Sequence, residues 1–437
     1  MKALILALAL AAPQDSIPDM SHPWSLQECV DWALEHNLTV AQQELTTESK
    51  AVDKNTAEMS WLPSVSASAG ENWSFGRGIG GDNTYERGNS ASTSFTLGAN
   101  MTLFDGLATP NRIKLARLDL EAATQDLEKA RDDIRVAVAQ AYVQILYNYE
   151  ILEVAQEQVK IDSLQAVRLE GMQAVGKASS ADVSQQKASL AQSRVTEIQA
   201  RNSVRASLLD LAQLLELPSF EDFSVVRPEV AELQDYYLGH PDDIYAEAEG
   251  QRPAVQAEKL RLQGTEYSVK VAKAAYYPTL SLSAGLGTNY YSSFPTMGFW
   301  NQLGSNFSQY VGLSLSIPIF NRFSTRNQVR SAKLQQSNQA LQLRRVRQSL
   351  YKEIQQAWNS AVAAKAKYEA SLDATLAAED AFALTQAKYE NGKATITDFS
   401  EARNRLMKAR SDSVQATYEY LFQTALVEFY RGGTLAL

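Results

Sequence analysis

Three histidines, His22, His36 and His240, and a single cysteine, Cys29, are the whole supply of the side chains that most readily bind metals or act as nucleophiles near neutral pH. No two of them stand at a metal-ligand spacing. The sequence also holds no glycine-rich phosphate loop, no nucleophile elbow and no carboxylate pair framing a cleft. It therefore implies no catalytic residue, no metal and no cofactor. Carboxylates recur instead at two matching places, Ser179-Ser180-Ala181-Asp182 and Thr395-Ile396-Thr397-Asp398. Both read as capping boxes, in which a hydroxyl and a carboxylate exchange hydrogen bonds with the first turn of a helix. Cys29, within Leu26-Gln27-Glu28-Cys29, reads as a buried helix residue, and as the only cysteine it leaves no intrachain disulfide.

Those two places are 216 residues apart, and the same step of 215 or 216 recurs along the chain. It carries Pro63 to Pro278, Phe104-Asp105 to Phe320-Asn321, Gln140-Ala141-Tyr142 to Gln356-Ala357-Trp358, Val175-Gly176-Lys177 to Asn391-Gly392-Lys393, and Leu190 to Leu406. An offset that holds through strand-like and helix-like segments alike marks internal duplication. The first structural repeat spans 13–215 and the second 252–430. Between them an equatorial segment, 216–251, carries Pro218, Pro228, Gly239 and Pro241, and 431–437 form a C-terminal tail.

Residues 1–12, a basic start followed by an Ala/Leu run, read as an export signal too short to span a bilayer. Its removal takes away Lys2 and moves the net charge from −9 to −10, which argues against a nucleic-acid partner. No later stretch has the ~20 consecutive apolar residues of a membrane helix. Any membrane segment must consist of strands. Residues 91–104 alternate Ala91, Thr93, Phe95, Leu97, Ala99 and Met101 against Ser92, Ser94, Thr96, Gly98, Asn100 and Thr102, the pattern of a strand with one apolar face. Segments 64–76, 279–291 and 307–320 alternate likewise, with Glu71 interrupting the apolar side of the first; a strand bulge is one way to accommodate it. These four strands make two hairpins with long, flexible connecting loops, 77–90 and 292–306. Aromatic residues cluster at both ends: Trp73, Phe75, Tyr290 and Tyr291 at one, Trp61, Phe104, Tyr276, Tyr277 and Phe320 at the other. Four strands cannot wrap a closed barrel, since single-chain membrane barrels have at least ~8, so further copies of the chain must complete it. Strand counting leaves open whether two copies or more do so.

Ile113, Leu120, Leu127 and Ile134 stand seven apart, as do Ala116, Ala123, Ala130 and Ala137, a heptad seam of large residues against alanine. Long helices follow at 108–171 and 181–216, and again at 323–390 and 396–430. Shorter ones, 25–60 and 242–276, lead into Pro63 and Pro278, where proline ends a helix and admits a strand.

Taken in order, these residues resemble the TolC family of outer-membrane efflux channels over essentially the whole mature chain. The likeness lies in Ala33-Leu34-Glu35-His36-Asn37, Arg252-Pro253-Ala254-Val255, the Pro63 and Pro278 junctions, Leu103-Phe104-Asp105-Gly106 and Ile319-Phe320-Asn321-Arg322. It implies a mainly α fold with a membrane β-barrel part, a homotrimer closing twelve strands in outer-membrane lipid, and a helical tunnel extending into the periplasm. It further implies partners, a periplasmic adaptor (membrane fusion protein) and an inner-membrane transporter, that dock on helix tips at Val175, Gly176, Lys177, Asn391, Gly392 and Lys393. Asp182, Asp398 and Glu401 match positions whose acids ring the periplasmic constriction. Ala394 replaces the family's basic residue two positions after the tip glycine, so a salt-bridge scheme does not carry over directly. The resemblance points to a passive duct of a tripartite efflux pump or type I secretion system, its lumen lined by Ser66, Ser68, Asn72, Ser94, Thr96, Ser281, Ser283 and Ser314. Scarce histidine near the tips and only seven methionines argue against a dedicated copper or silver exporter. The alternative is a non-conducting periplasmic coiled-coil scaffold or adaptor, soluble without detergent.

Overall fold

The computed structural model describes residues 22–79, 84–228, 238–293, 297–433 and 435. The export segment 1–12, the loop stretches 80–83 and 294–296, positions 229–237 of the equatorial segment and positions 434, 436 and 437 of the tail lie outside the described residues. The elements run α1 (Leu26–His36), α2 (Leu38–Met59), β1 (Ser64–Ser74), β2 (Arg77–Ile79), β3 (Tyr85–Arg87), β4 (Ser90–Phe104), α3 (Ala108–Ala174), α4 (Ser180–Leu214), α5 (Pro241–Gln251), α6 (Pro253–Ala274), β5 (Thr279–Tyr291), α7 (Phe299–Ser305), β6 (Ser308–Ser316), α8 (Ser324–Glu390) and α9 (Ile396–Arg431). The duplication is visible in the breaks as well as the elements. Asn37 and Arg252, 215 apart, end α1 and α5 with nearly the same backbone, φ/ψ −66/128 and −63/125. In the second repeat Pro253 forces that extended conformation on its predecessor. In the first, the Asn37 side chain does the work, accepting from Thr39 N at 2.9 Å and donating to Leu214 O at 2.9 Å. Each helix expected as one piece, 25–60 and 242–276, is thereby two.

Two compact units divide the chain. One comprises Leu45–Asp126 and Ala254–Val346. Its strands form a single antiparallel sheet in the order β1-β4-β5-β6, so the two hairpins pair with each other through β4 and β5. Register carries one apolar face across all four strands, through Val65, Ala99, Ala284 and Val311 in one row and Met101, Leu282 and Leu313 in another. The first pairing runs without interruption from Ser64↔Asn100 to Ser74↔Ser90, so there is no bulge at Glu71. Glu71 stands opposite Thr93 and accepts a hydrogen bond from its hydroxyl. A bulge does occur between Thr102 and Phe104 and sets Phe104 opposite Leu280, on the apolar side. β6 stops at Ser316 rather than reaching 320, because Pro318 has no amide hydrogen to extend the ladder.

The helices of this unit repeat the strand order. Arg117 on α3 pairs with Glu58 on α2 at 2.8 Å, Arg261 on α6 with Asp126 on α3, and Gln339 on α8 with Glu258 on α6. Neighbours therefore run α2, α3, α6, α8, with α2 and α8 at the edges. The turn from β4 into α3 needs a glycine: Gly106 has φ 68°, and a Cβ there would meet Ala274 O at 2.6 Å.

The other unit takes the residues up to Glu44, Leu127–Pro253, and Arg347 onward. Its core gathers Trp24, Cys29, Val40, Val138, Tyr142, Ile145, Leu211, Leu215 and Phe223. Cys29 is fully buried there, and burial pushes its thiol up to about 12, so it is inert at neutral pH. Trp24 N donates to Ser224 O and Val226 N to Trp24 O, both at 2.9 Å, a short parallel bridge on which the Tyr142 hydroxyl closes at 2.7 Å from Val226 O.

Candidate functional site

Two regions carry the chemistry the sequence singles out, the polar face of the sheet and the ends of the long helices. On the sheet, strand alternation puts Ser66, Ser68, Asn72, Ser94, Thr96, Ser281, Ser283 and Ser314 on one face, opposite the apolar one. Cross-strand rows on that face include Ser68 with Thr96, whose hydroxyls are 2.6 Å apart, and Ser281 with Ser314. Every residue of the four strands on this face is Ser, Thr, Asn, Gly or Tyr, without one charge. Tyr310 lies across Gly285, its ring occupying the space a Cβ would need. Tyr291, clustered with Tyr290 at one strand end, falls on this polar face opposite Ser92, because adjacent strand residues point to opposite sides.

At the helix ends, Gly176 and Gly392 adopt φ 76° and 71° with open space around them, so backbone conformation rather than crowding selects glycine. Lys177 N returns to Met172 O and Lys393 N to Lys388 O, both at 2.8 Å, closing the last turns of α3 and α8. Val175, Lys177, Asn391 and Lys393 are all exposed around these two turns. The next helices start on capping boxes. Ser179 Oγ accepts from Asp182 N at 3.1 Å, and Asp182 accepts from Ser179 N at 3.2 Å; Thr395 and Asp398 repeat this at 3.1 and 2.9 Å. The amide and hydroxyl of Thr395 hold the exposed Asp398 carboxyl below the usual aspartate range. Glu401 accepts from Arg405 Nη2 at 2.5 Å, one helical turn on. Each of the three acids thus has a partner on its own helix.

Residues that the sequence reading passed over join the two helical hairpins. Gln165 on α3 donates to the Tyr389 hydroxyl on α8 at 2.8 Å, and Tyr389 stacks on Phe399 of α9 at 5.1 Å. Arg168 stands 3.7 Å from Glu390 and faces the Tyr389 ring. Burial, with the nearby Asp182 charge, raises the Tyr389 phenol. Deeper, Arg403 of α9 pairs with Asp162 of α3, their side chains 2% and 1% exposed. Asp162 also accepts from Gln158 Nε2 at 2.9 Å and Gln186 Nε2 at 3.1 Å, and Arg403 donates to Ser189 Oγ at 3.1 Å. Burial lowers the Arg403 pKa. A signal for this cluster exists: Asp162 is four heptads beyond Ile134 on the Ile113 seam, and Gln158 and Gln165 continue the Ala116 seam.

The model for outer membrane efflux proteins matches this chain twice, over residues 30–216 and 244–431. The chain belongs to the outer membrane efflux protein family. The two matches coincide with the duplicated halves. Among curated relatives, Protein CyaE of Bordetella pertussis is 26% identical over 405 residues, covering 92% of this efflux protein and 82% of the relative. Outer membrane protein TolC of Escherichia coli is 26% identical over 364 residues, covering 79% and 71%. The crystal structure of the outer membrane protein VceC from Vibrio cholerae shares the fold, with a TM-score of 0.78 at 20% identity over 94% of this chain and 97% of that one. The efflux protein is accordingly a TolC-type outer-membrane channel protein that extends into the periplasm, mostly helical with one four-stranded sheet.

Proposed function

We propose that this efflux protein acts as a passive trimeric exit duct, receiving cargo from an inner-membrane transporter through a periplasmic adaptor in a tripartite efflux pump or type I secretion system. The observation that carries this reading is an unfinished wall. The sheet ends on β1 and β6, which run in opposite directions, so β6 of one copy can pair antiparallel with β1 of the next. Its apolar face is exposed, Val311 at 77% and Leu313 at 69%, which suits lipid, while its other face is polar and suits a wet bore. The edge helices expose apolar side chains seven residues apart, Leu45, Val52 and Met59 on α2 and Leu334 and Leu341 on α8. Strand edge and helix edge therefore ask for the same neighbour, another copy of this chain. Trimerisation follows from the family.

The eight hydroxyl and amide side chains of the polar face line the lumen in this reading. An uncharged lining leaves charge selection to the helical part, where Asp182, Asp398 and Glu401 form the constriction. Accepting capping hydrogen bonds keeps Asp398 ionised, so its capping role and its electrostatic role coexist. Arg405 offsets Glu401, which leaves the aspartates dominant. Val175, Gly176, Lys177, Asn391, Gly392 and Lys393, exposed on the two turns, form the adaptor-contacting tips. Conductance of the purified oligomer in a planar bilayer tests the proposal. Stepwise, cation-preferring currents are expected; an oligomer that conducts nothing, or a chain that stays dissolved without detergent, returns the reading to a periplasmic scaffold.

A further inference from the structure

The loop between β5 and β6 is built as a fixed element. β6 begins at Ser308 opposite Gly287, so the end of β5 extends past its neighbour. The buried side-chain amide of Gln302, on α7, takes the missing strand's place: its oxygen accepts from Tyr291 N at 2.9 Å and its nitrogen donates to Tyr291 O at 3.1 Å. Asn306 Nδ2 donates to Asn289 O at 2.8 Å on the same edge. Two contacts then set which side α7 occupies. The Thr288 hydroxyl donates to Leu303 O at 2.6 Å, and the Tyr290 ring lies 5.0 Å from that of Phe299. Thr288 and Tyr290 stand two and four residues beyond Leu286 and so share its face with Ala284, which puts α7 on the apolar face and away from the polar one.

Composition points the same way. Residues 292–309 contain no charged side chain, whereas 76–90, the loop that carries β2 and β3, contains Arg77, Asp82, Glu86 and Arg87. Around α7, Trp300 is 80% exposed, and Met297 and Phe307 are about half exposed. Tryptophan joins a large apolar ring to one N–H donor and favours the boundary between hydrocarbon and headgroups. We propose that α7 is an interfacial lipid anchor, with Trp300 and Phe307 turned into the headgroup region of the outer leaflet, while the β2–β3 hairpin stands in water. This rests on the reading of the apolar sheet face as lipid-facing.

Spin labels placed singly by Trp300→Cys, Val311→Cys and Tyr85→Cys, in the full-length protein reconstituted in liposomes, test it through accessibility to oxygen and to a water-soluble nickel complex. All three positions are exposed, and unlabelled Cys29, fully buried, makes the parent protein the blank. Position 300 is expected to fall between the two in its oxygen-to-nickel ratio, below 311 as a headgroup depth requires and several-fold above 85. A lipid-like 311 with a water-like 300, or with a 300 closed to both probes, overturns the anchor alone. A water-like 311 overturns the anchor together with the membrane reading beneath it.

Discussion

In the proposed constriction one carboxylate, Asp398, serves a helix and a channel at once. Its folded-state pKa is depressed by the Thr395 amide and hydroxyl, so its stabilising contribution is complete above the ordinary aspartate pKa of ~3.9 and is lost as pH falls through the lower folded value. Cation preference is therefore expected to persist at pH 5, and reversal potentials in a salt gradient at pH 7 and 5 should agree. The two roles separate by mutation. Thr395→Ala removes the cap but leaves the charge, costing about 1 kcal/mol in thermal unfolding with unchanged selectivity. Asp398→Asn removes the charge and should lower cation preference by roughly two- to tenfold, as three unit charges about 10 Å from an axis in water would. Equal selectivity in both variants would assign Asp398 to capping alone. Arg403 and Asp162 pose the opposite case, charges with almost no water. Arg403→Met strands the Asp162 carboxylate in the core and should destabilise the fold by about 3–5 kcal/mol, whereas Asp162→Leu combined with Arg403→Met should restore most of it. A double variant as unstable as the single would mean that packing, not stranded charge, sets the cost.

At the scale of elements, what the sequence makes legible is what repeats or alternates. The four strands, the glycine turns at Gly176 and Gly392 and the long helices follow from local chemistry, and a 215- or 216-residue step exposes each twice. Partnerships across the helical hairpins escape that logic, because the repeats diverge there: Tyr389 corresponds to Gln173, and Arg403 to Lys187. Polar residues at the seam positions 158, 162 and 165 were the available sign, readable only by extending the heptads past their apolar stretch. The order of the β5–β6 loop and α7 was equally hidden, since Gln302 satisfies strand backbone with a side chain that no local pattern distinguishes from a loop glutamine. The Gln165–Tyr389 bond gives the hairpin contact a measurable strength. Tyr389→Phe keeps the stacking on Phe399 but deletes the hydroxyl, worth about 1 kcal/mol, or roughly fivefold in the equilibrium between joined and separated hairpins. Open probability in single-channel records should rise accordingly. An unchanged record would show that the hairpins are held by other contacts, the Arg168–Glu390 pair foremost.

At the scale of the whole molecule, a protomer has two kinds of open edge, and they differ in what they contribute to assembly. Backbone groups on β1 and β6 demand a partner within lipid, where no water can satisfy them, but any antiparallel strand would serve. The α2 and α8 stripes are selective, because seven-residue spacing matches only another helix set side by side. Each Leu or Val buried there is worth about 1.5–3 kcal/mol, so two or three per helix at every seam outweigh a modest association cost. Leu45→Glu with Val52→Glu places two carboxylates per protomer in that seam while leaving the sheet untouched; both positions are more than 60% exposed in the protomer, so the isolated chain should still fold. The detergent-solubilised mass is expected to fall from three copies to one, with conductance lost. Should three copies persist with normal currents, strand pairing alone closes the wall and the helical stripes face something else. Three copies with diminished conductance would place the fault in the bore, and the seam would have to be sought on another face of α2.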